Sequence, residues 1–369
     1  MRSFKNSISA IKYLIIALAV ILLVWLLPAF YELLTPRTDK MPFVVYSCLD
    51  STFIRFETNE NKQVQYIDFK GREFSKSEAD SLLPLFAFRQ LVAEGRLPDS
   101  LYGVALTPKM IQQNSFHFKT SLKQLNKPAV GLYTMIESAS GQVDLQLPPD
   151  VFRLTDEGLE FIDCETNTVN RAKSLSFSRE LTKQGFKFPV HLIWGNGTTR
   201  KEYDNGFLLT DAEEHLFQLK MVKGMPWVRK IKDNGKNGCY RRIFTIEPAN
   251  RQLIGLAVSS DDRLCAIRSD ATMQRIGDFH MPMSASAKEE MVNTITIVGD
   301  LFHWTITLYT TTDTRYYAVD ARTFEQIACE IVPDPAEPLS RRLMRYLLPI
   351  RLRFTSWHSQ LIYPNINDD

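Results

Sequence analysis

The stretch TDEGLEFID (residues 155–163) places an acidic turn directly before a short run of apolar residues. The same layout recurs in TDAEEHLFQLK (210–220), SDDRLCAIR (260–268) and TDTRYYAVD (312–320). The aspartates of the four turns, Asp156, Asp211, Asp262 and Asp313, are 55, 51 and 51 residues apart. A period near 50 residues is typical of β-propellers, in which each repeat forms one four-stranded sheet. The spacing therefore predicts a repeated β architecture.

The sequence between these turns has the composition of strands. Short runs rich in aromatic and β-branched residues alternate with Asp, Asn, Gly, Thr and Pro, and an earlier turn at residues 59–61 has the same layout. We predict a mainly β chain with a β-propeller-like repeat domain over residues 41–364, long enough for five units and an incomplete sixth. A β-sandwich or split barrel is the alternative, because Asp-rich turns recur in many antiparallel proteins.

One stretch departs from the strand pattern. Ser75 and Glu78 have the spacing of a capping box, and apolar residues at helical intervals follow from Leu82 to Val92. A Gly-Arg-Leu-Pro-Asp sequence from Gly95 ends the pattern. We predict a helical insertion over residues 75–113.

The N-terminal region contains YLIIALAVILLVWLLPAFY (residues 13–31), which has no charged side chain. An apolar helix of this length matches a hydrocarbon thickness of about 30 Å, and Tyr13, Trp25 and Tyr31 suit its interfaces. We predict a transmembrane anchor over residues 13–34, with the lipid bilayer as a partner. A cleaved signal peptide is the alternative, although the run is long and no small-x-small cleavage pattern follows it.

The basic residues around this segment predict its orientation. Arg2, Lys5 and Lys12 precede it, whereas Arg37 and Lys40 follow it. This bias places residues 1–12 in the cytoplasm and the C-terminal domain in the periplasm, which predicts a single-pass protein of the inner membrane.

A basic segment lies near the C-terminus, at residues 340–355. Its sequence predicts a helix that ends at Pro349 and then a strand with one basic face. The arginines are Arg341, Arg342, Arg345, Arg351 and Arg353. They predict a contact patch for anionic lipid or an acidic partner. A solvated helix and a closing strand explain the same pattern.

Charge and cysteine content exclude some function classes. The 369 residues contain 44 Lys and Arg against 42 Asp and Glu, so the basic excess of a nucleic-acid-binding protein is missing. The five cysteines form no C-x-x-C pair and are expected to be mostly buried thiols. We predict no nucleic-acid partner and no disulfide framework.

Catalytic and metal-binding motifs are scarce. The sequence has no G-x-S-x-G or H-E-x-x-H motif, so no catalytic residue and no cofactor is predicted. His280, Met281 and Met283 form the one cluster of soft donors, which suits Cu(I) but equally covers the edge of a core. Residues 195–201 (GNGTTRK) lack the spacing of a phosphate loop and predict a hairpin turn.

Four stretches carry a family resemblance: residues 82–108, 140–163, 200–231 and 354–364. They resemble an uncharacterised family of single-span membrane proteins from Bacteroides and relatives, known only as a domain of unknown function. The resemblance brings no catalytic residue, and it implies an accessory role beside ABC-type transporter components. We therefore expect a non-catalytic, membrane-anchored interaction protein. The alternatives are a periplasmic propeller that binds or senses a ligand or metal, and a propeller enzyme whose residues converge only in the folded chain.

Overall fold

A computed structural model describes most of the chain, and its topology falls into two units. The described residues are 11–23, 26–27, 42–59, 62–121, 131–139, 141, 144–232, 239–282, 292–310, 312–333, 350–354 and 362–366. One unit comprises residues 1–42 and 333–369, and the other comprises residues 43–332.

The smaller unit contains a helix over residues 11–23 (α1) and a hairpin of Ile350–Phe354 and Ile362–Ile366. Among the residues described, no helix is both apolar and long enough to cross a membrane. The predicted single-pass location in the inner membrane is therefore wrong.

The larger unit is built from antiparallel sheets whose strands follow one another in the chain. The first sheet contains β1 (Phe43–Ser47), β2 (Thr52–Thr58), β3 (Val64–Asp68) and β4 (Glu73–Phe74). The third contains β10 (Leu192–Gly195), β11 (Phe207–Thr210), β12 (Leu216–Val222) and β13 (Met225–Lys230). The fourth contains β14 (Tyr240–Thr245), β15 (Leu253–Ser259), β16 (Leu264–Arg268) and β17 (Met273–Arg275). Each is a four-stranded meander.

The second and fifth sheets are variants of this unit. The second has β8 (Asp150–Leu154) and β9 (Leu159–Asp163), and single bridges from Tyr133 and Val169 occupy the two flanking strand positions. The second sheet is followed by α5 (Arg171–Lys183). Phe177 and Leu181 of α5 pack into the core between the second and third sheets. The fifth contains β18 (Thr294–Gly299), β19 (His303–Tyr309), β20 (Asp313–Asp320) and β21 (Gln326–Pro333), with β7 (Phe116–Ser121) paired to β18.

A helical segment separates the first sheet from β7. It contains α2 (Lys76–Leu82), α3 (Phe88–Ala93), β5 (Ser100–Leu101), β6 (Val104–Ala105) and α4 (Pro108–Asn114). The predicted capping box is confirmed: the Ser75 hydroxyl accepts from the Glu78 N–H, and the Glu78 carboxylate accepts from the Ser75 N–H. Leu82 and Leu83 of this segment pack on one face of the first sheet.

The turn between the second and third strands is the same in three of the sheets. In each, a side-chain oxygen at the start of the turn accepts the N–H four residues later, and the residue before that donor has a positive φ. The accepting residues are Asn59, Asp211 and Ser259, and the donors are Gln63, His215 and Arg263. The positive-φ residues are Lys62, Glu214 and Asp262.

The other two sheets use a shorter version, in which the hydroxyls of Thr155 and Thr310 accept the N–H groups of Gly158 and Asp313. Each of the five repeat sheets thus has a side-chain-capped turn at the same place. The predicted recurrence is confirmed, but the four aspartates do not occupy the same position in their turns. Asp211 starts its turn, whereas Asp156 follows the capping Thr155, Asp262 has the positive φ and Asp313 is the N–H donor.

Apolar clusters join successive sheets face to face. Phe152, Phe207 and Phe217 connect the second and third sheets, and Leu208, Leu216 and Ile254 connect the third and fourth. Leu256, Trp304 and Ile306 connect the fourth and fifth, and Phe53 and Tyr316 connect the first and fifth. This is a mainly β, propeller-like repeat architecture. No sheet closes on itself within the described part of the chain.

Candidate anion-binding cleft

Of the three soft donors suggested by the sequence, the structure describes two, and these differ in burial. Met281 is fully buried in the core between the fourth and fifth sheets, and its N–H bonds the Asp262 carbonyl at 2.7 Å. His280 is exposed, and Met283 lies outside the described residues. Across the described ranges, no three His, Cys, Asp or Glu side chains are grouped so as to hold a metal ion. Met281 is thus accounted for as a core residue.

The other predicted contact residues are only partly described. Tyr13 is exposed on α1, whereas Trp25, Tyr31, Arg341, Arg342 and Arg345 lie outside the described residues. Arg351 and Arg353 lie in the strand Ile350–Phe354. The role of the arginines as a contact patch stays a prediction. The five cysteines are free thiols, and three of them, Cys48, Cys239 and Cys265, are partly buried.

The alternation of side chains along β12 places polar groups between two sheets. Phe217, Leu219 and Met221 face the core shared with the second sheet, so the intervening residues face the fourth sheet. On that side Leu216 is apolar and buried, but Gln218 and Lys220 follow it. In the register with β13, Lys220 is opposite Trp227 and Gln218 is opposite Arg229. The space between the third and fourth sheets therefore changes from apolar to polar along the strand.

A buried ion cluster supports this polar end, and we call it the Lys201 cluster. It comprises Lys201 and Asp204, from the connection between β10 and β11, and Glu247, which follows β14. The Lys201 ammonium lies 2.6 Å from an oxygen of each carboxylate, and it also donates to the Asn196 carbonyl. Its side chain is only 6% exposed. The predicted hairpin turn at residues 195–201 thus ends in a buried cation that links two sheets.

Further hydrogen bonds satisfy both carboxylates of the Lys201 cluster. The second oxygen of Asp204 accepts the Ser138 hydroxyl and the Gly206 N–H, both at 2.9 Å. Glu247 also accepts the Asn205 N–H and the Asn196 side-chain amide at 2.9 Å. Since buried charges need such partners, the cluster is a structural support with no carboxylate oxygen left for a ligand cation.

Asn205 connects the Lys201 cluster to the neighbouring cations. Its side-chain amide donates to the backbone carbonyls of Ile246 and Leu253 on the fourth sheet. Its backbone carbonyl oxygen accepts from the Gln218 side-chain amide at 2.9 Å. Gln218 in turn accepts from Arg229 at 2.9 Å. Arg229 also donates to the Ser269 carbonyl, so its guanidinium is fixed between the two sheets.

These groups border a cavity of about 390 Å³, which we call the interrepeat cleft. Its lining includes Tyr203, Lys220, Trp227, Arg229, Arg251 and Ser269. Lys220 donates to the neutral Asn205 side chain at 3.2 Å, and Arg251 lies over the Tyr203 ring. No carboxylate pairs with Lys220, Arg229 or Arg251 among the residues that the structure describes. Three cations of the cleft thus have no described salt-bridge partner, although Asp204, which is paired with Lys201, lines the same cavity.

Burial shapes the acid–base properties of this lining. It lowers the pKa of Lys220 below 10.5; the charges of Asp204 and Glu247 oppose this lowering, and the repulsion of Arg229 and Lys201 adds to it. It also lowers the pKa of Arg229 and raises the pKa of the Tyr203 hydroxyl. The Nε of Arg229 is buried and has no acceptor among the described residues. An anion in the cleft would offset the cost of burying the charges of Lys220 and Arg229.

A second polar cluster lies where the first and fifth sheets meet, and we call it the Asp300 cluster. It comprises Asp300, His303, Cys48 and Tyr102. Asp300 accepts the N–H groups of Phe302 and His303 at 2.8 Å, and the His303 Nδ1 is 4.0 Å from its carboxylate. No Lys or Arg pairs with Asp300 within the described ranges.

Burial dominates the pKa values of the Asp300 cluster. It raises the pKa of Asp300 to about 6, although the two backbone N–H groups oppose the change. It raises the pKa of the Cys48 thiol to about 11, with the Asp300 charge as a further cause. It lowers the pKa of His303, partly countered by Asp320. All three shifts favour the uncharged forms.

The sequence carried one signal of the cleft. Gln218 and Lys220 occupy alternate positions of a strand whose other residues are apolar on both faces, which is where a buried polar site would appear. Tyr203, Arg229 and Arg251 had no such signal, because they come from three separate segments that only the packing of the sheets brings together.

Comparison with solved structures finds distant likenesses. Hydrazine synthase of Kuenenia stuttgartiensis is 10% identical, with a TM-score of 0.27, over 64% of this chain and 54% of that one. The Cps50 (Swd1) β-propeller domain of Myceliophteria thermophila is 16% identical, with a TM-score of 0.27, over 62% and 61%. The Dos1 propeller is 10% identical, with a TM-score of 0.25, over 80% and 62%. The chain thus spans about half to three fifths of these structures, and likenesses at this level carry no argument about function.

No curated protein matches the sequence. A family model does match, and it covers residues 43–319, from the first strand of the first sheet nearly to the end of β20. The expectation of a family of unknown function is confirmed. The chain belongs to the family described as domain of unknown function DUF4857.

Proposed function

We propose that this protein binds a small anion in the interrepeat cleft. The observation that carries the proposal is the unequal pairing of charge: the carboxylates of Asp204 and Glu247 are saturated by Lys201 and N–H donors, whereas Lys220, Arg229 and Arg251 border the cavity without a described carboxylate partner. Lys220 and Arg229 are partly buried, whereas Arg251 is exposed. Burying the first two cations without a salt-bridge partner costs free energy, and an anion would offset that cost.

The size and rigidity of the cleft support the same function. Its volume of about 390 Å³ is within the range of small-molecule sites, roughly 300 to 1,000 Å³. Its donors come from strands and from a connection fixed by the Lys201 cluster, so they are arranged before a ligand arrives. The ligand would therefore meet an ordered set of N–H groups.

Titration calorimetry on the full chain tests the proposal, with inorganic phosphate as the first probe at low salt and near-neutral pH. Arg229→Gln removes a charge-assisted donor and should weaken binding about ten- to a hundredfold. Lys230→Gln is the matched control, because Lys230 is the next residue of β13, is exposed and does not line the cleft. Equal affinities for the two variants, or no binding by the parent chain to phosphate or to any carboxylate tested, would refute the proposal.

A pH series provides a second test. Because burial lowers the pKa of Lys220, its charge is lost at a lower pH than that of an ordinary lysine. Anion affinity should therefore fall as pH rises through this lowered pKa, and Lys220→Arg should remove the fall, since arginine stays charged.

The expected accessory role beside a transport complex stays a prediction. Pull-down from native extracts, with the parent chain and Arg229→Gln as baits, relates it to the cleft. A partner retained by both chains would mean that the cleft does not make that contact.

A further inference from the structure

The charge around the interrepeat cleft indicates the charge of its ligand. The cleft and the Lys201 cluster together contain four cations, Lys201, Lys220, Arg229 and Arg251, and two carboxylates, Asp204 and Glu247. Asp270 also attracts Arg229, which makes three carboxylates against four cations and leaves one positive charge uncompensated. The charge therefore favours an anionic ligand, and the donors of the cleft indicate which anion fits.

The donors of the cleft also suit a phosphate group. A guanidinium has five N–H donors, and Arg229 uses one bond to Gln218 and one to the Ser269 carbonyl. One N–H on each terminal nitrogen of Arg229 remains, and the ammonium of Lys220 has one neutral partner. A phosphate has enough oxygens to accept from a fixed guanidinium and an ammonium at once.

The remaining volume and the aromatic lining indicate what carries the phosphate. Inorganic phosphate fills only a small part of a cavity of about 390 Å³. The Trp227 indole lines the same cavity, is 39% exposed and is opposite Lys220 in the sheet register. The Arg229 guanidinium lies over this ring, 5.2 Å from its centroid, and the Lys220 ammonium is 5.9 Å from the centroid. The exposed remainder of the indole, beside the two cations, suits a compact ring with one apolar face. We propose, resting on the function proposed above, that the cleft binds a sugar phosphate, with the phosphate at Lys220 and Arg229 and the sugar ring against Trp227.

Calorimetry with four probes tests this inference on the full chain: glucose phosphate (the primary ester), inorganic phosphate, glucuronate and glucose. Glucose phosphate should bind at least about tenfold more tightly than inorganic phosphate or glucuronate, and glucose alone should not bind measurably. Trp227→Ala should reduce the affinity for glucose phosphate to that for inorganic phosphate and leave the latter nearly unchanged. Trp227→Phe, which retains an aromatic face, should keep most of the advantage of the ester.

A matched control is Met225→Ala, which truncates an exposed residue two positions before Trp227 on the same face of β13. It should not change either affinity. Equal binding of glucuronate and glucose phosphate would overturn the assignment of phosphate while leaving anion binding intact. Equal binding of inorganic phosphate and glucose phosphate in the parent chain would overturn the assignment of a sugar ring. Failure of all three anions to bind would instead refute the proposed function itself.

Discussion

The Lys201 cluster and the Asp300 cluster both place carboxylates between sheets, but only the carboxylates of the Lys201 cluster have a described cationic partner. Asp204 and Glu247 share the Lys201 ammonium and also accept side-chain and backbone donors. Asp300 has two backbone N–H donors and no described Lys or Arg partner, and its pKa rises to about 6. Asp300 thus lacks the cation that Asp204 and Glu247 share, and burial disfavours its charged form. The first cluster is a support for the cleft, and the second is sensitive to pH.

The largest effect should follow from Lys201→Met, which leaves two buried carboxylates without their cation. We expect a loss of about 3–5 kcal/mol in the free energy of unfolding at neutral pH, measured by urea denaturation. Arg200→Met is the matched control: this neighbouring side chain is exposed, and its loss should change stability by less than about 0.5 kcal/mol. A Lys201→Met chain as stable as Arg200→Met would remove the distinction between the two clusters.

Asp300→Asn should act in the opposite direction. A raised pKa means that the stability contribution of Asp300 is present below its unfolded-state value of 3.8 and is lost as pH rises through about 6. The asparagine can still accept the two N–H groups, so the variant should be more stable than the parent by up to about 3 kcal/mol at a pH of about 8. The gain should disappear at a pH of about 3.5.

The matched control for this pH series is Asp320→Asn. Burial tends to raise the pKa of Asp320, but hydrogen bonds from the backbone of Thr323 and Arg322 hold it below the ordinary value. Its stability contribution is therefore present above the unfolded-state pKa and is lost as pH falls, so Asp320→Asn should lose stability at high pH. The same sign for both variants would contradict the assignment.

The reactivity of Cys48 provides a further measure of the Asp300 cluster. With its pKa raised from 9.0 to about 11, the thiol has roughly a hundredfold less thiolate at a given pH than an ordinary cysteine. Alkylation by iodoacetamide, followed by peptide mass spectrometry, should be slower at Cys48 than at the exposed Cys164 by about this factor or more. Asp300→Asn should accelerate the reaction at Cys48 and leave Cys164 unchanged. No acceleration would show that the Asp300 charge does not reach the thiol.

The smallest effect should come from Ser138→Ala, which removes one of the two donors to the second oxygen of Asp204. Because the Gly206 N–H remains, we expect a loss of about 1 kcal/mol by the same denaturation assay. Ser269→Ala is the control, since this exposed serine contributes its backbone carbonyl to Arg229 and not its hydroxyl. A larger loss at Ser269 than at Ser138 would contradict the hydrogen-bond pattern of the Lys201 cluster.

Local chemistry made much of the repeat predictable from sequence. The side chain of Asn59, Asp211 or Ser259 starts a turn and accepts the backbone N–H four residues later. The position of such a turn can therefore be predicted from a few neighbouring residues. The second sheet was harder, because single bridges at Tyr133 and Val169 replace its flanking strands. The N-terminal apolar run led to a wrong prediction of an inner-membrane location, because no helix among the described residues is both apolar and long enough to cross a membrane.

The candidate site was less predictable than the fold. Lys220 interrupts an apolar strand and is visible in the sequence, but the meaning of Lys201 depends on Glu247, which lies in another sheet. The packing of the sheets decides which carboxylate pairs with a buried cation. The spacing of residues along the chain does not predict that partner. The mutual pairing of Lys201 and the two carboxylates is also what leaves the remaining cations of the cleft unpaired.

The pairing of β7 with β18 determines the order in which the chain can be completed during synthesis. Ser121 is paired with Thr294, so the second, third and fourth sheets leave the ribosome between the two partners. The first sheet also depends on the fifth, because Phe53 packs on Tyr316 and the Tyr46 N–H bonds the Thr305 hydroxyl. The first sheet and β7 therefore cannot form these contacts until the fifth sheet has been synthesised. A nascent chain that stops before residue 294 lacks the partners of both segments.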